Sequence, residues 1–321
     1  MSRVILSVLF FTCAQLGPAA AQNNYPSHPV RIVVPSPPAG GTDIIARVLA
    51  QHFSKAFGQQ FFVENRPGAG NMIGIESVAR SAPDGYTLLM VPSTLALNSV
   101  LYQKVSYDPI RDFAPITLAA TAPNVLIVNP SVPAKTLAEF VALAKKKPGE
   151  LTYGTPGAGT SPHMSMELLK SMAGLDIQHI PYRGTAPAVT DIISGQIHAM
   201  FANALTAMPQ VESGKVRALA VSGPKRIEAM PNVPPVAEAG VPGYEAMQWY
   251  GLLAPAGTPN AIMVRLHAEA TKALHSAEMK EKLAADGAQP VGSTSAEFAT
   301  LIKSELEKWA NVARAAKIQP Q

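Results

Sequence analysis

Cysteine is almost absent from this chain, which has one cysteine in 321 residues. A lone cysteine can form neither an internal disulfide nor a thiolate metal site, so stability must come from the hydrophobic core. Charged residues are also scarce, at 15% of the chain against roughly 25% in an average domain. The formal net charge of +4 is too small and too dispersed for a nucleic-acid surface, and no nucleic-acid partner is expected.

The hydrophobic content of 47% is ample for a core and argues against a disordered chain. The composition also excludes a coiled coil and a multi-span membrane protein. The 29 prolines, in a chain that is not of low complexity, indicate many fixed loops. The length allows one large domain or two of moderate size.

The first 21 residues have the layout of a cleavable secretory signal. Arg3 precedes an apolar run over residues 4–13, and small residues at 19–21 place the cleavage before Gln22. A buried strand or a membrane anchor is the alternative, but the run is too short to span a bilayer. Cleavage removes Cys13, and export without disulfides is typical of the bacterial periplasm.

Strand and helix patterns alternate along the rest of the chain and predict an α/β fold with parallel sheets. The first series has strands predicted at 30–34, 61–63 and 86–91, each followed by a helix, at 44–57, 73–82 and 95–102. The second series has strands at 125–128, 177–180, 197–201 and 216–221, with helices at 136–147, 161–173, 186–194 and 205–213. Three helices end the chain, at 259–275, 278–285 and 295–315.

These two series predict two lobes around a hinged cleft, each a mainly parallel sheet flanked by helices. Lobe one is expected at 22–123 and 250–321 and lobe two at 124–249, with crossings near Pro123 and Trp249. No long Gly/Ser linker separates the lobes, so short strands should join them. The apolar stripe of the last helix favours packing on lobe one, and an interface with a partner is the alternative.

Helix-capping residues mark several boundaries. Thr136 with Glu139 forms a capping-box pattern, and Ser161 is predicted as an N-cap before Pro162. Gly174 is predicted to end the helix that Ser161 starts.

Two loops combine glycine, small hydroxyl residues and the start of a helix: Ser36–Asp43 and Thr155–His163. Ligands of open α/β sheets bind at the carboxyl ends of strands, and helix N-termini attract anions. If the lobes face each other, the two loops lie on opposite sides of the cleft and can bind an anion between them. Each loop alone is also compatible with an ordinary βα turn.

Catalytic patterns are missing from the sequence. There is no G-x-S-x-G elbow and no phosphate-binding G-x-x-x-x-G-K-[ST] loop. His163 and Glu167 are one helical turn apart, but H-E-x-x-H is absent and no further ligand is evident. We therefore expect no metal, no cofactor and no enzyme activity. A periplasmic hydrolase or isomerase is kept as a remote alternative.

An ordered set of motifs carries a family resemblance. It comprises Pro-Ala-Gly-Gly-Thr-Asp at 38–43, Glu-Asn-Arg-Pro-Gly-Ala-Gly at 64–70, Pro-Asp-Gly-Tyr-Thr-Leu-Leu at 83–89, Tyr-Asp-Pro-Ile-Arg-Asp-Phe at 107–113, Gly-Thr-Pro-Gly-Ala-Gly-Thr-Ser-Pro-His at 154–163, Ile-Pro-Tyr-Arg-Gly at 180–184, Val-Arg-Ala-Leu-Ala-Val at 216–221 and Ala-Pro-Ala-Gly-Thr-Pro at 254–259. In this order the chain resembles the tripartite tricarboxylate transporter substrate-binding proteins, or Bug receptors. The resemblance runs through essentially the whole mature chain.

This resemblance implies a periplasmic binding protein of two lobes, a type II-like flytrap, that delivers organic acids to a membrane permease. A monomer is expected, with a carboxylate held by backbone amides, hydroxyls and ordered waters. A ligand-presenting partner of a membrane sensor kinase is the alternative. The residues that the resemblance assigns to the ligand are Ser36, Ala39, Gly40, Gly41, Asp43, Ser93, Thr94, Asn98, Thr155, Ala158, Gly159, Thr160, Ser161, His163, Tyr182, Arg183, Gly184 and Asn203.

Two positions depart from the family pattern. Ser36 stands where many relatives have an aromatic residue, and Ala202 stands where many have an acid. An acid there could receive a substrate ammonium, and Ala202 cannot. The sequence therefore favours a di- or aromatic carboxylate over an amino acid.

Overall fold

The protein is described by a computed structural model that covers residues 25–284, 287–316 and 318. The predicted secretory signal lies outside these residues. Within them, no helix combines the length and the apolar character needed to cross a membrane.

Lobe one begins with the three βα units that the sequence predicts. β1 pairs in parallel with β2 on one side and with β3 on the other. The elements are β1 (Val30–Val34), α1 (Gly41–Phe57), β2 (Phe61–Asn65), α2 (Met72–Ala79), β3 (Thr87–Pro92) and α3 (Thr94–Leu101).

A single long strand, β4 (Phe113–Val128), then runs through both lobes. From Phe113 to Pro123 it pairs antiparallel with β9 (Met247–Pro255), and from Asn124 onward it pairs with strands of lobe two. Only its last four residues were predicted as strand. The partner changes near the predicted crossings, while the residue limits of the lobes stay a prediction.

Lobe two contains the second βα series. β5 pairs in parallel with β6 and β7, whereas β7 and β8 pair antiparallel with β4. Its elements are α4 (Leu137–Lys146), β5 (Thr152–Thr155), α5 (Ser161–Ala173), β6 (Gln178–Pro181), α6 (Thr185–Ser194), β7 (Ala199–Asn203), α7 (Ala204–Glu212) and β8 (Arg217–Val221).

After β9 the chain forms the three predicted C-terminal helices and one short strand. They are α8 (Asn260–Leu274), α9 (Ala277–Ala284), β10 (Gln289–Pro290) and α10 (Ser295–Ala315). The main path of the sheet has the order β2-β1-β3-β9-β4-β7-β5-β6. The two-lobed α/β fold is thus confirmed. Its parallel pairs lie in the outer parts, and the strands that join the lobes are antiparallel.

The predicted caps are confirmed in part. The Thr136 side chain accepts a hydrogen bond from the backbone of Glu139, but the Glu139 side chain accepts from the Lys135 N–H, so the predicted capping box is incomplete. Gly174 ends α5 in a left-handed conformation, as predicted. Ser161 is the first residue of α5 rather than its N-cap, which is Thr160. The Ser161 hydroxyl instead accepts a hydrogen bond from Asn124 Nδ2 at 2.8 Å.

Helix α10 packs on both lobes. Phe298 and Ile302 belong to a hydrophobic cluster of lobe one that also contains Trp249. Trp309 and Val312, further along the helix, belong to the main hydrophobic cluster of lobe two. The predicted packing on lobe one is therefore only part of the observed contact, and α10 bridges the lobes.

A buried carboxylate ties this bridge to β9. Glu305 Oε2 accepts hydrogen bonds from Trp309 Nε1 at 2.7 Å and from Trp249 Nε1 at 3.3 Å. Lys308 Nζ lies 2.5 Å from the other oxygen and balances its charge. Glu305 is 5% exposed, so loss of its carboxylate would leave two buried indole donors without an acceptor.

We expect Glu305→Ala to lower the free energy of unfolding by about 2–3 kcal/mol, because buried donors lose a charged acceptor. Urea unfolding followed by circular dichroism measures the change. Glu307→Ala, an exposed position two residues further along α10, is the control and should change stability little. Equal losses in the two variants would contradict a role for the Glu305–tryptophan contacts.

Candidate functional site

A cavity of about 280 Å³ lies between the lobes, where β1, β3, β5 and β7 end. Lobe one contributes the residues after β1 and β3, and lobe two contributes those after β5 and β7. Asn124 of β4 and Gln248 and Tyr250 of β9 complete the wall at the crossing. The cavity occupies the position that open α/β sheets use for ligands.

Six helices of the described chain begin at residues that line this cavity: α1, α2, α3, α5, α6 and α7. The first N–H groups of a helix have no partner within the helix, and each N-terminus carries about half a positive charge. In five of the six, all but α7, the N-cap side chain makes no capping hydrogen bond. By contrast α4 and α10, which begin elsewhere, are capped by threonine side chains.

Charged side chains are absent from the cavity wall, as far as the described residues show. Tyr250 is the one ionisable residue among them, and its hydroxyl accepts a hydrogen bond from Gln248 Nε2 at 2.8 Å. The positive potential of the cavity therefore comes from helix N-termini rather than from lysine or arginine. Such an arrangement favours a small anion.

Ser36 presents an unsatisfied hydroxyl in the cavity wall. Its Oγ is buried, and no group of the described residues forms a hydrogen bond with it. Buried polar atoms without a partner are uncommon in folded proteins and call for an explanation. A ligand oxygen in the cavity would satisfy this hydroxyl.

The first of the two predicted loops, Ser36–Asp43, is held in shape by Asp43. Ala39 has a left-handed backbone (φ 68°), which costs a non-glycine residue free energy. Its N–H donates to Asp43 Oδ2 at 2.9 Å, and Arg47 Nε donates to the same oxygen at 2.8 Å. Asn65 Nδ2 donates to the other oxygen at 2.9 Å. Asp43 is thereby engaged inside the loop.

The environment of Asp43 keeps it ionised. Burial on its own would raise the pKa of Asp43, but hydrogen bonds from Arg47, the Ala39 N–H and Asn65 outweigh burial and lower the pKa. The adjacent guanidinium of Arg47 balances the charge. An anion bound at the start of α1 is therefore not opposed by an uncompensated carboxylate.

The second predicted loop, Thr155–His163, is stabilised by hydrogen bonds from its own hydroxyl groups and to His163. Thr160 Oγ1 donates to the Gly157 carbonyl at 2.8 Å, and Thr155 Oγ1 lies 2.7 Å from His179 Nε2. The Gly159 N–H donates to His163 Nδ1 at 3.2 Å. These contacts fix the backbone from which α5 starts.

Beneath this loop lies a stack of three rings, of which Tyr153 and His163 are buried and His179 is half-buried. His163 and His179 have ring centroids 4.3 Å apart, and His179 lies 4.9 Å from Tyr153. The Tyr153 hydroxyl donates to Glu167, which Lys170 contacts at 2.6 Å. Burial, with Lys170 nearby, lowers the pKa of His163 to about 4, and burial followed by His163 lowers the pKa of His179 to about 4. Both imidazoles are neutral at pH 7.

The structure separates the predicted site residues into two groups. The first group lines the cavity: Ser36, Gly40, Gly41, Ser93, Thr94, Thr160, Ser161 and Asn203. The second group does not line it: Ala39, Asp43, Asn98, Thr155, Ala158, Gly159, His163, Tyr182, Arg183 and Gly184. For this second group a direct ligand contact stays a prediction that the geometry does not favour.

Several members of the second group support the loops instead. Asn98 Nδ2 donates to the Gly70 carbonyl at 2.8 Å, next to the cavity residue Asn71. The Tyr182 hydroxyl donates to Asp191 Oδ2 at 2.6 Å, and Arg183 is exposed. Asn203, which belongs to the first group, also caps α7: its side-chain oxygen accepts a hydrogen bond from the Thr206 N–H.

Sequence reasoning missed other cavity residues, among them Asn71, Asn124, Thr185, Gln248 and Tyr250. Asn71 follows the glycine-rich turn after β2, so the strand-end argument could have found it. Gln248 and Tyr250 lie inside a strand, and only the pairing of β9 with β4 brings them to the cavity.

Comparisons with known proteins place the chain in a family. Residues 45–318 match the family described as tripartite tricarboxylate transporter family receptor. Protein BugT of Bordetella pertussis is 36% identical over 317 residues, covering 98% of this chain and 97% of BugT.

Two solved structures that contain bound ligands are similar to this chain. R. palustris Rpa4515 with adipate has a TM-score of 0.81 and 36% identity, covering 92% of this chain and all of that chain. MatC from Rhodopseudomonas palustris with bound malate has a TM-score of 0.75 and 32% identity, covering 90% and 99%.

The two lobes and the intervening cavity define a solute-binding protein of the periplasmic type. More narrowly, the chain belongs to the tripartite tricarboxylate transporter receptors, the family that includes the Bug proteins. This family consists of substrate-binding receptors rather than enzymes.

The ring stack under the second loop makes stability depend on pH. Its histidines have pKa values of about 4 against an ordinary 6.5, so the unfolded chain binds more protons between these values. The neutral histidines make their full contribution to the free energy of unfolding above pH 6.5. This contribution is lost as the pH falls towards 4, on the order of 2–3 kcal/mol for each histidine. Urea unfolding at pH 7.5 and pH 4.5 measures the loss. His179→Gln should remove about half of it, and an unchanged loss would contradict this assignment.

Proposed function

We propose that the protein captures a small organic carboxylate in the cavity between its lobes and delivers it to a tripartite tricarboxylate-type membrane permease. The observation that supports this most strongly is the set of six helix N-termini around a wall whose described residues include no charged side chain. Exposed N–H groups and hydroxyls are the donors that a desolvated carboxylate requires. Export by the predicted signal would place this receptor in the periplasm.

The expected affinity follows from the number of available donors. A hydrogen bond to a charged group contributes about 1.5–3 kcal/mol, and micromolar binding requires about 8 kcal/mol. Four or five such bonds therefore suffice. The first turns of α1 and α5, with Ser36, supply donors from both lobes.

Binding also favours closure. A carboxylate between the start of α1 and the start of α5 contacts both lobes at once, which is possible only when they approach each other. Its differential affinity for the closed arrangement shifts the population towards that arrangement. A permease that recognises the closed arrangement would then accept loaded receptors in preference to empty ones.

The cavity favours a compact acid without an ammonium group. Its volume of about 280 Å³ is close to the lower end of the roughly 300–1,000 Å³ typical of ligand pockets. Ala202 lines the wall where an acid could receive an ammonium, and no described carboxylate lines it. Di- or aromatic carboxylates fit these limits, and relatives of known structure bind adipate and malate.

Ser36→Ala should weaken binding of a dicarboxylate such as malate or adipate about tenfold, because a buried donor to a carboxylate is lost. Isothermal titration calorimetry measures the change. Ser99→Ala is a matched control: Ser99 Oγ is also buried without a partner, but Ser99 does not line the cavity. The assignment of Ser36 fails if both variants bind as the wild type does.

Amino acids should bind at least about tenfold more weakly than their deaminated analogues, because helix N-termini repel an ammonium that no carboxylate receives. The pairs succinate and aspartate, and glutarate and glutamate, test this by calorimetry. Dimethyl succinate and succinamide are the controls for the carboxylates. Tighter binding of aspartate or glutamate would exclude the proposed selectivity.

Delivery is tested with the permease subunits in vesicles. Uptake of a radiolabelled dicarboxylate that binds the receptor should depend on added protein and should fall in the Ser36→Ala variant. Equal uptake with and without the protein would contradict delivery to the permease, while the proposed binding of carboxylates would stand.

A further inference from the structure

A second cavity, of about 200 Å³, lies on the other side of the β4–β9 pair; we call it the rear cavity. The cavity between the lobes described above is called the front cavity. Pro123 lines the rear cavity, and the next residue, Asn124, lines the front cavity. In the same way Met247 lines the rear cavity and Gln248 the front one. Successive residues of a strand face opposite sides, so the crossing strands separate the two cavities.

The walls of the rear cavity come from both lobes. Thr121 of β4 and Gln289 of β10, which pair with each other, form the side of lobe one. The segment from Gly223 to Ile227, which follows β8, forms the side of lobe two. Rotation of the lobes about the β4–β9 pair therefore changes the width of this cavity.

The chemistry of the walls is that of a site for an amphipathic anion. Lys225 and Arg226 supply positive charge, and among the described residues Lys225 has no ion-pair partner. Arg226 contacts Glu238 at 2.7 Å, in a pair whose side chains are 43% and 54% exposed, so solvent screens it. Met247 and Ile227 give the cavity an apolar side.

We propose that the rear cavity is a second binding site, for a small organic anion with a short apolar chain, and that its occupancy regulates the front cavity. In this structure the lobes are in contact on both sides of the crossing: a Cβ at Gly159 would lie 3.1 Å from Leu101 Cδ1 at the front, and a Cβ at Gly287 would lie 2.8 Å from Ala204 Cβ at the rear. Separation of the lobes at the front would press the walls of the rear cavity together. An occupant that spans the rear walls opposes this narrowing and favours the arrangement that binds the front ligand.

The coupling is reciprocal, because each ligand must raise the affinity for the other by the same factor. Its effect on the front cavity rests on the proposed function, whereas binding to the rear cavity does not. Hexanoate is a suitable probe, since it has one carboxylate and an apolar chain.

The test titrates hexanoate into protein saturated with its preferred dicarboxylate and into unliganded protein. Lys225→Met and Gln289→Trp, the second of which fills the cavity from an exposed position, should weaken hexanoate binding at least about tenfold. Lys215→Met, at an exposed lysine of lobe two outside both cavities, is the control. Saturating hexanoate should tighten dicarboxylate binding about fivefold.

Equal binding of hexanoate by the Lys225→Met and Lys215→Met variants would overturn the rear site. Binding that depends on Lys225 but leaves dicarboxylate affinity unchanged would overturn the regulatory role. If no dicarboxylate binds while hexanoate binding depends on Lys225, the proposed function fails and the rear site stands. Circular dichroism and thermal melting of each variant establish that it is folded.

Discussion

The continuous pairing of β4 is the constraint on which the rest of the structure depends. One strand of 16 residues is hydrogen-bonded in both lobes, first to β9 and then to β7 and β8. Hydrogen bonding along this strand therefore holds the two lobes together at the crossing. This strand also brings the ends of β1 and β3 opposite those of β5 and β7, so helix N-termini from both lobes meet at one cavity.

The proposed anion site has no charged side chain among the described residues of its wall, and this has an energetic reason. A lysine or arginine in the cleft would lose its hydration when the lobes close, at a cost that its attraction to the ligand must first offset. Helix N-termini are already part of the folded structure and need no reorganisation when the ligand enters. The buried support under each loop, from Asp43 in lobe one and from the His163 stack in lobe two, holds those N-termini in place.

The sequence predicts those parts of the structure that depend on local order. Helical spacing and strand runs located the βα units because their periodicity lies within each element. The first part of β4 was missed because it contains Pro115 and Pro123, which disfavour a strand unless pairing elsewhere supports it. In the site, loop residues after strands were found, whereas Gln248 was not, because its position depends on pairing between distant segments. Asp43 and His163 show a second limit: a motif gives a polar residue, but not whether it faces the cavity or the loop beneath.

The electrostatic field at the cavity comes from the backbone of the helix N-termini, and this has an evolutionary consequence. Point substitutions exchange side chains, but they leave the peptide dipoles of a helix in place as long as the helix forms. The helix N-termini at the cavity are thus shielded from most single mutations, whereas a substitution at Ala202, Gln248 or Tyr250 changes the side chain that the wall presents to a ligand. A lineage built on this fold can change the body of its ligand step by step while it keeps the capacity to hold an anion. Receptors only 30–40% identical to this chain, such as those that bind adipate and malate, are the divergence that this separation permits.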